Sequence, residues 1–250
     1  MKKWKVISPL VFIVLWQVLA SAGALGRTVP SPVQVVQGLY QLTVTGFPQG
    51  YKLPGDILSS LARVLLGFGI AVMLAVPFGI LMGWSSWFDV AMDPIVEALR
   101  PIPPLAWLPF ALVWFGLGYL SAAFVIFLGV FFPVVLNTVA GVRSVDPYMV
   151  EAARTLGADR RTILLKVIVP GSLPSIFTGV RIGIGIGWMT LVAAELIGVK
   201  NGYGLGYMIM NARDVARYDY VVGGMVVIGL IGFLMDRAIK LAEKRLLRWR

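Results

Sequence analysis

The sequence predicts an all-α integral membrane protein with about six transmembrane helices. Hydrophobic residues make up 58% of its 250 residues and charged residues only 14%, and the mean hydropathy is +0.85. Soluble domains contain roughly a quarter charged residues, so this chain lacks the groups that would cover a water-exposed surface. Several apolar runs also approach the ~20 residues that a helix needs to cross a bilayer.

The first predicted span is the apolar run from Val6 to about Leu25, which follows the basic segment 1–5. A cleaved signal peptide is the alternative, because residues 20–22, Ala-Ser-Ala, resemble a cleavage site. The run is longer than the ~7–15 apolar residues of a signal peptide, so we expect a retained helix.

An outer segment separates the first span from the second. Ser31 followed by Pro32 is typical of a helix N-cap with proline at the first helical position. A short helix on the outer membrane surface is predicted by apolar residues at helical spacing: Val33, Val36, Leu39 and Tyr40. An ordinary connector is the alternative. We assign the first span and this segment, residues 1–57, to an N-terminal region.

The remaining apolar runs define a transmembrane domain that we assign to residues 58–250. Each run is bounded by charged residues, glycine or proline. The predicted spans are Val64–Met82, about Ile102–Leu117, Leu120–Val142, about Leu173–Ile197 and Val221–Met235. The third span of the chain begins in the proline-rich segment 100–104, and a re-entrant structure there would invert every later segment.

The positions of the basic residues predict the orientation. Lys and Arg outnumber Asp and Glu by 22 to 12, which gives a net charge of +10, and basic residues accumulate in cytoplasmic loops of membrane proteins. With six spans and a cytoplasmic N-terminus, fifteen basic residues lie on the inner side. Five lie on the outer side: Arg27, Lys52, Lys200, Arg213 and Arg217. This distribution favours a multi-pass protein of the cell inner membrane with both termini in the cytoplasm, and it explains the charge without nucleic acid.

The composition excludes most catalytic and metal-binding chemistry. The chain contains no His and no Cys, so it offers no thiolate or imidazole ligand and no Ser-His or Cys-His pair. An intramembrane enzyme would then need a Ser-Lys or paired-Asp site, and no Asp or Lys lies within the predicted spans. We therefore expect no catalytic residue, no metal site and no cofactor in this chain.

The most informative segment is the predicted cytoplasmic loop between the fourth and fifth spans, residues 143–170. Asp146 can cap a helix with proline at its first position, and Gly157 can end that helix in the left-handed conformation. Asp159 can cap a second helix, which Pro170 is expected to stop. Two short helices joined by a glycine turn would form a rigid projection on which another protein could dock. A loop that merely joins two spans is the alternative.

The same loop contains Glu151-Ala152-Ala153, then Gly157 after three residues, then Val167-x-Val169-Pro170 after nine more. This pattern resembles the EAA signature of permease subunits of ATP-binding-cassette (ABC) importers. Valine replaces the isoleucine and the leucine of the signature, which preserves the apolar character. The resemblance covers about Leu58 to Trp249, where the segments 100–109, 178–183 and 190–195 are similar to the subfamily that imports taurine, other aliphatic sulfonates or nitrate.

The resemblance implies the MetI-like fold of a type I ABC importer permease, with a cytoplasmic coupling helix. It implies translocation of a small anion of the aliphatic sulfonate, taurine or nitrate class across the inner membrane. The partners would be a second permease in a homodimer, two ATPase subunits that hold ATP and Mg, and a periplasmic or lipid-anchored substrate-binding protein. The chain contains no G-x-x-x-x-G-K-[ST] phosphate loop, which agrees with a separate ATPase. The residues implied in ATPase coupling are Glu151, Ala152, Ala153, Leu156, Gly157 and Ala158.

Ionisable residues within spans are candidates for the translocation pathway, because burying them in a bilayer is costly. Arg181 and Glu195 are 14 residues apart, which places them on nearly the same helix face, with Trp188 between them. Arg181 could donate hydrogen bonds to a sulfonate or nitrate oxygen. The alternative is that Arg181 extends to the cytoplasmic interface, while Glu195 caps a helix or pairs with Arg213 or Arg217 near the outer end.

Glycines within the spans predict close helix packing rather than a transport role, because small residues let helix backbones approach each other. They are Gly67 and Gly69 in the second span and Gly179, Gly183, Gly185 and Gly187 in the fifth.

An ion-coupled secondary transporter or channel is the alternative function. Such a protein would show inverted repeats, broken helices near the membrane midplane and intramembrane acids for ion coupling. The sequence shows no convincing internal repeat, and Glu195 is the only acid well inside a predicted span. We therefore expect a transporter subunit without enzymatic activity of its own.

Overall fold

The computed structural model of the chain describes residues 4–26, 28–198 and 203–246. Within these ranges the regular structure is helical, without strands. A 3₁₀ turn at Pro104–Trp107 precedes α5, and a π-helical turn at Leu164–Ile168 joins α8 to α9. The α-helices are α1 (Trp4–Ser21), α2 (Pro32–Val44), α3 (Leu53–Trp84), α4 (Ser86–Leu99), α5 (Leu108–Phe115), α6 (Tyr119–Arg143), α7 (Pro147–Thr155), α8 (Arg160–Ile163), α9 (Val169–Gly198), α10 (Leu205–Asp214) and α11 (Tyr218–Leu246).

Four helices in the described part of the chain are long and apolar enough to cross a membrane. They correspond to the predicted second, fourth, fifth and sixth spans, and their bounds are Leu53–Trp84, Tyr119–Arg143, Arg160–Leu196 and Tyr218–Leu246. The predicted all-helical membrane fold is therefore confirmed. The first predicted span corresponds to α1, whose described apolar part, Ile7–Ser21, is shorter than a full span.

The third predicted span, at about Ile102–Leu117, is not one straight helix. α4 and the helical segment Pro104–Phe115 meet at a bend of 87°, and counting this pair as one broken span raises the candidate spans to five. The prolines of segment 101–104 explain the break, because proline lacks the helical N–H and disfavours helical backbone in the residue before it. α4 was not predicted from the sequence, because its three acidic residues interrupt the apolar pattern.

The helices group into two compact units. The first unit comprises Met1–Leu61 and Glu195–Ile231, and the second comprises Ala62–Ala194 and Gly232–Arg250. The predicted N-terminal region, residues 1–57, lies within the first unit.

In the first unit, α2 forms as the sequence predicts, with Ser31 as its N-cap. The Ser31 hydroxyl accepts the Gln34 N–H at 3.3 Å, and the Gln34 side chain accepts the Ser31 N–H at 2.8 Å, which is a reciprocal capping box. The residues that pack inward are Val35, Gly38 and Leu42. Three of the four residues of the predicted apolar stripe are exposed instead: Val33, Val36 and Tyr40. That stripe is therefore directed away from the unit.

In the second unit, several glycines lie where helices approach each other closely. A Cβ at Gly67 in α3 would lie 2.6 Å from the Ala123 carbonyl oxygen in α6. A Cβ at each of three glycines of α9 would lie 2.7 to 3.0 Å from a side chain of α6: Gly179, Gly183 and Gly187. The packing prediction is confirmed at these four positions. It is wrong at Gly69 and Gly185, where a Cβ would meet no described atom within 4 Å.

We expect Gly67→Ala to destabilise the protein, whereas Gly69→Ala should be neutral or slightly stabilising. Both substitutions add one methyl group to α3, but only the methyl at position 67 would collide with a neighbouring backbone. Overpacking of a close-packed site costs about 1–3 kcal/mol, whereas alanine improves an open helical position by up to about 1 kcal/mol. Thermal unfolding of the two variants in the same detergent measures the difference. Equal midpoints would show that α3 and α6 are not closely packed at Gly67.

The second helix of the loop does not end at Pro170, and this prediction is wrong. α8 continues through the π-helical turn into α9, so one helical stretch covers Arg160–Leu196. In the π turn the Val169 N–H donates to the Leu164 carbonyl, five residues back. This local change of hydrogen-bond register accommodates Pro170, which has no N–H to donate, without ending the helix.

Candidate functional site

Both helix N-caps predicted in the loop between α6 and α9 are confirmed. The Asp146 carboxylate accepts the Tyr148 N–H at 2.8 Å, and Pro147 occupies the first turn of α7. The Asp159 carboxylate accepts the Thr162 N–H at 3.1 Å at the start of α8. Hydrogen bonds from the Thr162 side chain and backbone hold the pKa of Asp159 below its usual value. The Asp159 cap therefore stays ionised at neutral pH.

The C-terminal end of α7 is closed by Gly157, as predicted. Gly157 has a φ of +81°, a left-handed conformation that glycine adopts without strain. Its N–H donates to the Arg154 carbonyl at 2.9 Å, and the Ala158 N–H donates to the Ala153 carbonyl at 3.0 Å. These two hydrogen bonds form a Schellman cap, which fixes the direction in which the chain leaves the helix.

The predicted coupling residues of the loop divide into an inward and an outward set. Ala153 and Ala158 pack against a buried apolar cluster formed by Val142, Ile163 and Ile168. Glu151 lies on the outward side and pairs with Arg154 at 2.7 Å, with both side chains more than half exposed. The two inward alanines therefore fix the loop to the rest of the second unit. The surface available to a partner is formed by other residues.

The outward face of α7 exposes large apolar side chains. Leu156 is 87% exposed, Tyr148 83% and Met149 61%. They surround Ala152, because residues three and four positions apart share a helix face. The predicted coupling residues include Ala152 and Leu156 of this surface but not Tyr148 and Met149. Their helical spacing from Ala152 was the signal that could have identified them.

Arg181 in α9 is engaged by acidic residues of α11. Its guanidinium forms ion pairs with Glu243 and, at 3.9 Å, with Asp236. Lys240 also pairs with Asp236, at 2.5 Å. Arg181, the predicted donor to a substrate anion, is therefore already paired with two carboxylates of the same unit.

Trp188, the second candidate for the pathway, is buried. Its side chain is only 6% exposed. A Cβ at Gly232 in α11 would lie 3.3 Å from the Trp188 indole, so this glycine provides the space that the ring needs.

Glu195, the third candidate, lies in the first unit and is 1% exposed. The Ser60 hydroxyl lies 2.9 and 3.0 Å from its two carboxylate oxygens, and the Gly206 N–H donates to one of them at 3.0 Å. The Leu205 N–H donates to the Ser60 hydroxyl at 3.0 Å. Glu195 and Ser60 thereby satisfy N–H groups at the start of α10, which have no partner within the helix. These contacts support the alternative in which Glu195 caps a helix.

A second buried carboxylate binds the same end of α10. Asp56 is 1% exposed and accepts the Gly204 N–H at 2.9 Å. The Ser59 hydroxyl donates to the Tyr203 carbonyl at 3.1 Å. No role was predicted for these residues, although polar side chains at positions 56, 59 and 60 are grouped in the first turns of a mainly apolar helix.

The two arginines predicted as alternative partners of Glu195 pair with neighbouring acids instead. Arg213 lies 3.4 Å from Asp214, and Arg217 lies 2.7 Å from Asp219. The hydrogen bonds to Asp219 raise the pKa of the Arg217 guanidinium above its usual value.

Long apolar helices together with a loop that exposes apolar side chains are typical of a membrane protein that docks on another protein. Residues 75–248 match the family described as "Binding-protein-dependent transport system inner membrane component". The chain belongs to this family.

Similar proteins support this assignment along nearly the whole chain. The taurine transport system permease protein TauC of Escherichia coli is 41% identical, over 96% of this chain and 86% of TauC. The nitrate import permease protein NrtB of Synechocystis sp. is 39% identical, over 96% of this chain and 88% of NrtB. A solved structure of the MetNI methionine ABC transporter in inward-facing conformations has a TM-score of 0.67 at 20% identity, over 78% of this chain and 95% of that one. The predicted importer permease fold is confirmed.

Proposed function

We propose that this ABC importer permease translocates a small anion of the aliphatic sulfonate, taurine or nitrate class. Relatives named for taurine and for nitrate transport support this cargo class. Sulfonates and nitrate share a compact, planar or tripodal set of oxygens that carries one negative charge. A pathway suited to one of these oxyanions is therefore chemically close to a pathway suited to the other.

We propose that α7 is the coupling helix that docks on a separate ATPase. The exposed apolar face of α7 is the observation that carries this proposal, because large apolar side chains presented on a rigid helix favour a protein partner. Glu151, Ala152, Leu156 and Gly157 would contact the ATPase, and the inward Ala153 and Ala158 would hold the helix in place. ATP and Mg would bind to the ATPase, and this chain would supply no catalytic, metal-binding or cofactor-binding residue.

The complete transporter would contain a homodimer of this permease, two ATPase subunits and a periplasmic or lipid-anchored binding protein. The excess of basic residues in the predicted inner loops supports cytoplasmic N- and C-termini. With this orientation, α7 would lie on the same side of the membrane as the ATPase. Nucleotide-driven closure of the ATPase pair would then shift the permease between inward-facing and outward-facing states.

The pathway role of Arg181, Trp188 and Glu195 stays a prediction. We expect Arg181→Ala to lower the uptake rate while the ATPase still docks, because the variant lacks the donor for an oxyanion. If Arg181 only neutralises Glu243, the double variant Arg181→Ala with Glu243→Ala would restore uptake, since no uncompensated acid remains. Uptake into liposomes distinguishes the two roles. Uptake that is restored in the double variant would contradict the pathway role.

The cargo is tested by ATP hydrolysis of the complete complex, purified with its binding protein and supplied with taurine, ethanesulfonate, nitrate or the cation choline. We expect one or more of the solutes with a sulfonate or nitrate group to stimulate hydrolysis and choline to have no effect. Stimulation by choline alone, or no response to any of the anions, would contradict the proposed cargo class.

A further inference from the structure

A cavity of about 330 Å³ lies in the second unit, beside the break between α4 and α5. Its wall is mainly apolar, with one cationic side chain, Arg100, which is the C-cap residue of α4. Apolar side chains of the proline-rich segment, α6 and α9 line the cavity: Ile102, Leu128, Phe132, Leu136 and Ile186.

The geometry of the wall follows from helical spacing. Leu128, Phe132 and Leu136 are four residues apart and therefore line one face of α6. Gly129 on the same helix lets α6 approach α9 and the proline-rich segment closely at the cavity wall, because a Cβ there would lie 3.2 Å from the Thr190 hydroxyl, 3.3 Å from Ile186 and 3.5 Å from Pro104.

Arg100 retains hydrogen-bonding capacity for an anion. Its ion pair with Glu97 has an N–O distance of 4.0 Å, and the two side chains are 47% and 63% exposed. An exposed pair at this distance is weak. The guanidinium can therefore donate two parallel hydrogen bonds to an oxyanion, as arginine does to carboxylates and phosphates.

We propose that this cavity binds short-chain alkanesulfonates during translocation, with the sulfonate at Arg100 and the alkyl chain against the apolar wall. This inference rests on the proposed function and narrows its cargo class. Nitrate has no apolar part and would leave the wall unused. Taurine would bring an ammonium group against apolar side chains, which offer it no hydrogen-bond partner. A membrane lipid is less suitable, because the cavity cannot enclose two acyl chains.

Direct binding to the permease–ATPase complex in lipid nanodiscs, without the binding protein, tests the proposal. Calorimetry is performed with methanesulfonate, ethanesulfonate, butanesulfonate, taurine and nitrate. We expect affinity to rise by up to about fourfold for each added methylene group, in line with the burial of a CH₂. Ethanesulfonate should bind more tightly than taurine, which differs from it only in the ammonium group. Equal affinities for these two ligands, or no binding of any alkanesulfonate, would overturn the proposal.

Two variants locate the binding. Arg100→Gln should lower the affinity for every alkanesulfonate by roughly tenfold, because hydrogen bonds to charged groups contribute strongly to binding. Lys244→Gln is the control, since it removes a positive charge that does not line the cavity. Ile186→Trp fills the cavity and should abolish the dependence on chain length, whereas Met189→Trp, at a 75% exposed position of the same helix, should preserve it. A chain-length dependence that survives Ile186→Trp would indicate partition of the alkyl chains into the bilayer and would overturn the proposal.

Uptake assays separate this proposal from the proposed function. If the complete transporter imports ethanesulfonate or taurine while the cavity variants bind and import as the wild type does, only the cavity assignment fails. If the transporter imports none of the anions, the cargo class itself fails and the cavity assignment fails with it.

Discussion

Gly157→Pro is expected to leave the protein inserted in the membrane but to abolish productive docking of the ATPase. Gly157 has a φ of +81°, whereas proline fixes φ near −65° and has no N–H for the bond to Arg154. The Schellman cap cannot form, so α7 and its exposed Leu156 must move. We expect substrate-stimulated ATP hydrolysis of the assembled complex to fall by about tenfold or more. A tenfold decrease requires the loss of only about 1.4 kcal/mol of docking free energy.

A matched substitution controls for the loss of a left-handed glycine. Gly50 has a φ of +91° and no described neighbour within 4 Å of its would-be Cβ, and it lies in the predicted outer segment. Gly50→Pro should therefore leave ATPase docking unchanged. Glu151→Lys offers a second test of the same surface, since it reverses a charge beside Ala152 without altering the backbone. Wild-type hydrolysis by the Gly157→Pro complex would show that α7 is not the coupling helix.

Glu195→Leu is expected to produce the largest loss of stability among single substitutions in the first unit. It removes the acceptor of the Gly206 N–H and of the Ser60 hydroxyl in a buried site. Each buried donor left without an acceptor costs about 1–3 kcal/mol, so we expect about 2–6 kcal/mol for the two. Glu195→Gln retains one carbonyl oxygen and should cost less. Thermal unfolding in detergent measures the effect, and we expect the unfolding midpoint to fall from the wild type to Glu195→Gln and further to Glu195→Leu.

An acid at the other end of α10 supplies the control for Glu195. Asp214 is exposed and pairs with Arg213 at 3.4 Å, so Asp214→Leu should change stability by no more than about 0.5 kcal/mol. Equal unfolding midpoints for Glu195→Leu and Asp214→Leu would show that the carboxylate of Glu195 does not hold the start of α10.

The parts of the structure that depend on short-range chemistry were predictable from the sequence. Ser31, Asp146 and Asp159 act as N-caps because each bonds to an N–H only two or three residues away. Gly157 ends α7 because only glycine adopts a left-handed conformation at little cost. Apolar runs identified the long spans because a bilayer imposes length and composition on any helix that crosses it.

Features that depend on distant residues were not predictable in the same way. The prolines at 101–104 break the third span, whereas Pro170 is accommodated by a π turn, and the local sequence does not distinguish these outcomes. Arg181 finds Glu243 sixty-two residues away. Glu195 meets Ser60 across 135 residues of sequence. Residues that share a face of one helix can be identified from sequence spacing, but the groups of other helices that bind Arg181 and Glu195 cannot.

The central claim is that this chain is driven by an ATPase that docks on α7, and reconstitution tests it most directly. The tagged chain is purified under mild conditions with the proteins that accompany it, placed in liposomes with its binding protein, and supplied with taurine, ethanesulfonate or nitrate. We predict that an ATPase co-purifies with the chain. We also predict that uptake of at least one of these solutes requires ATP on the side of the liposome membrane from which α7 projects. A chain that purifies alone and moves these solutes without ATP would contradict the account and favour an ion-coupled secondary transporter.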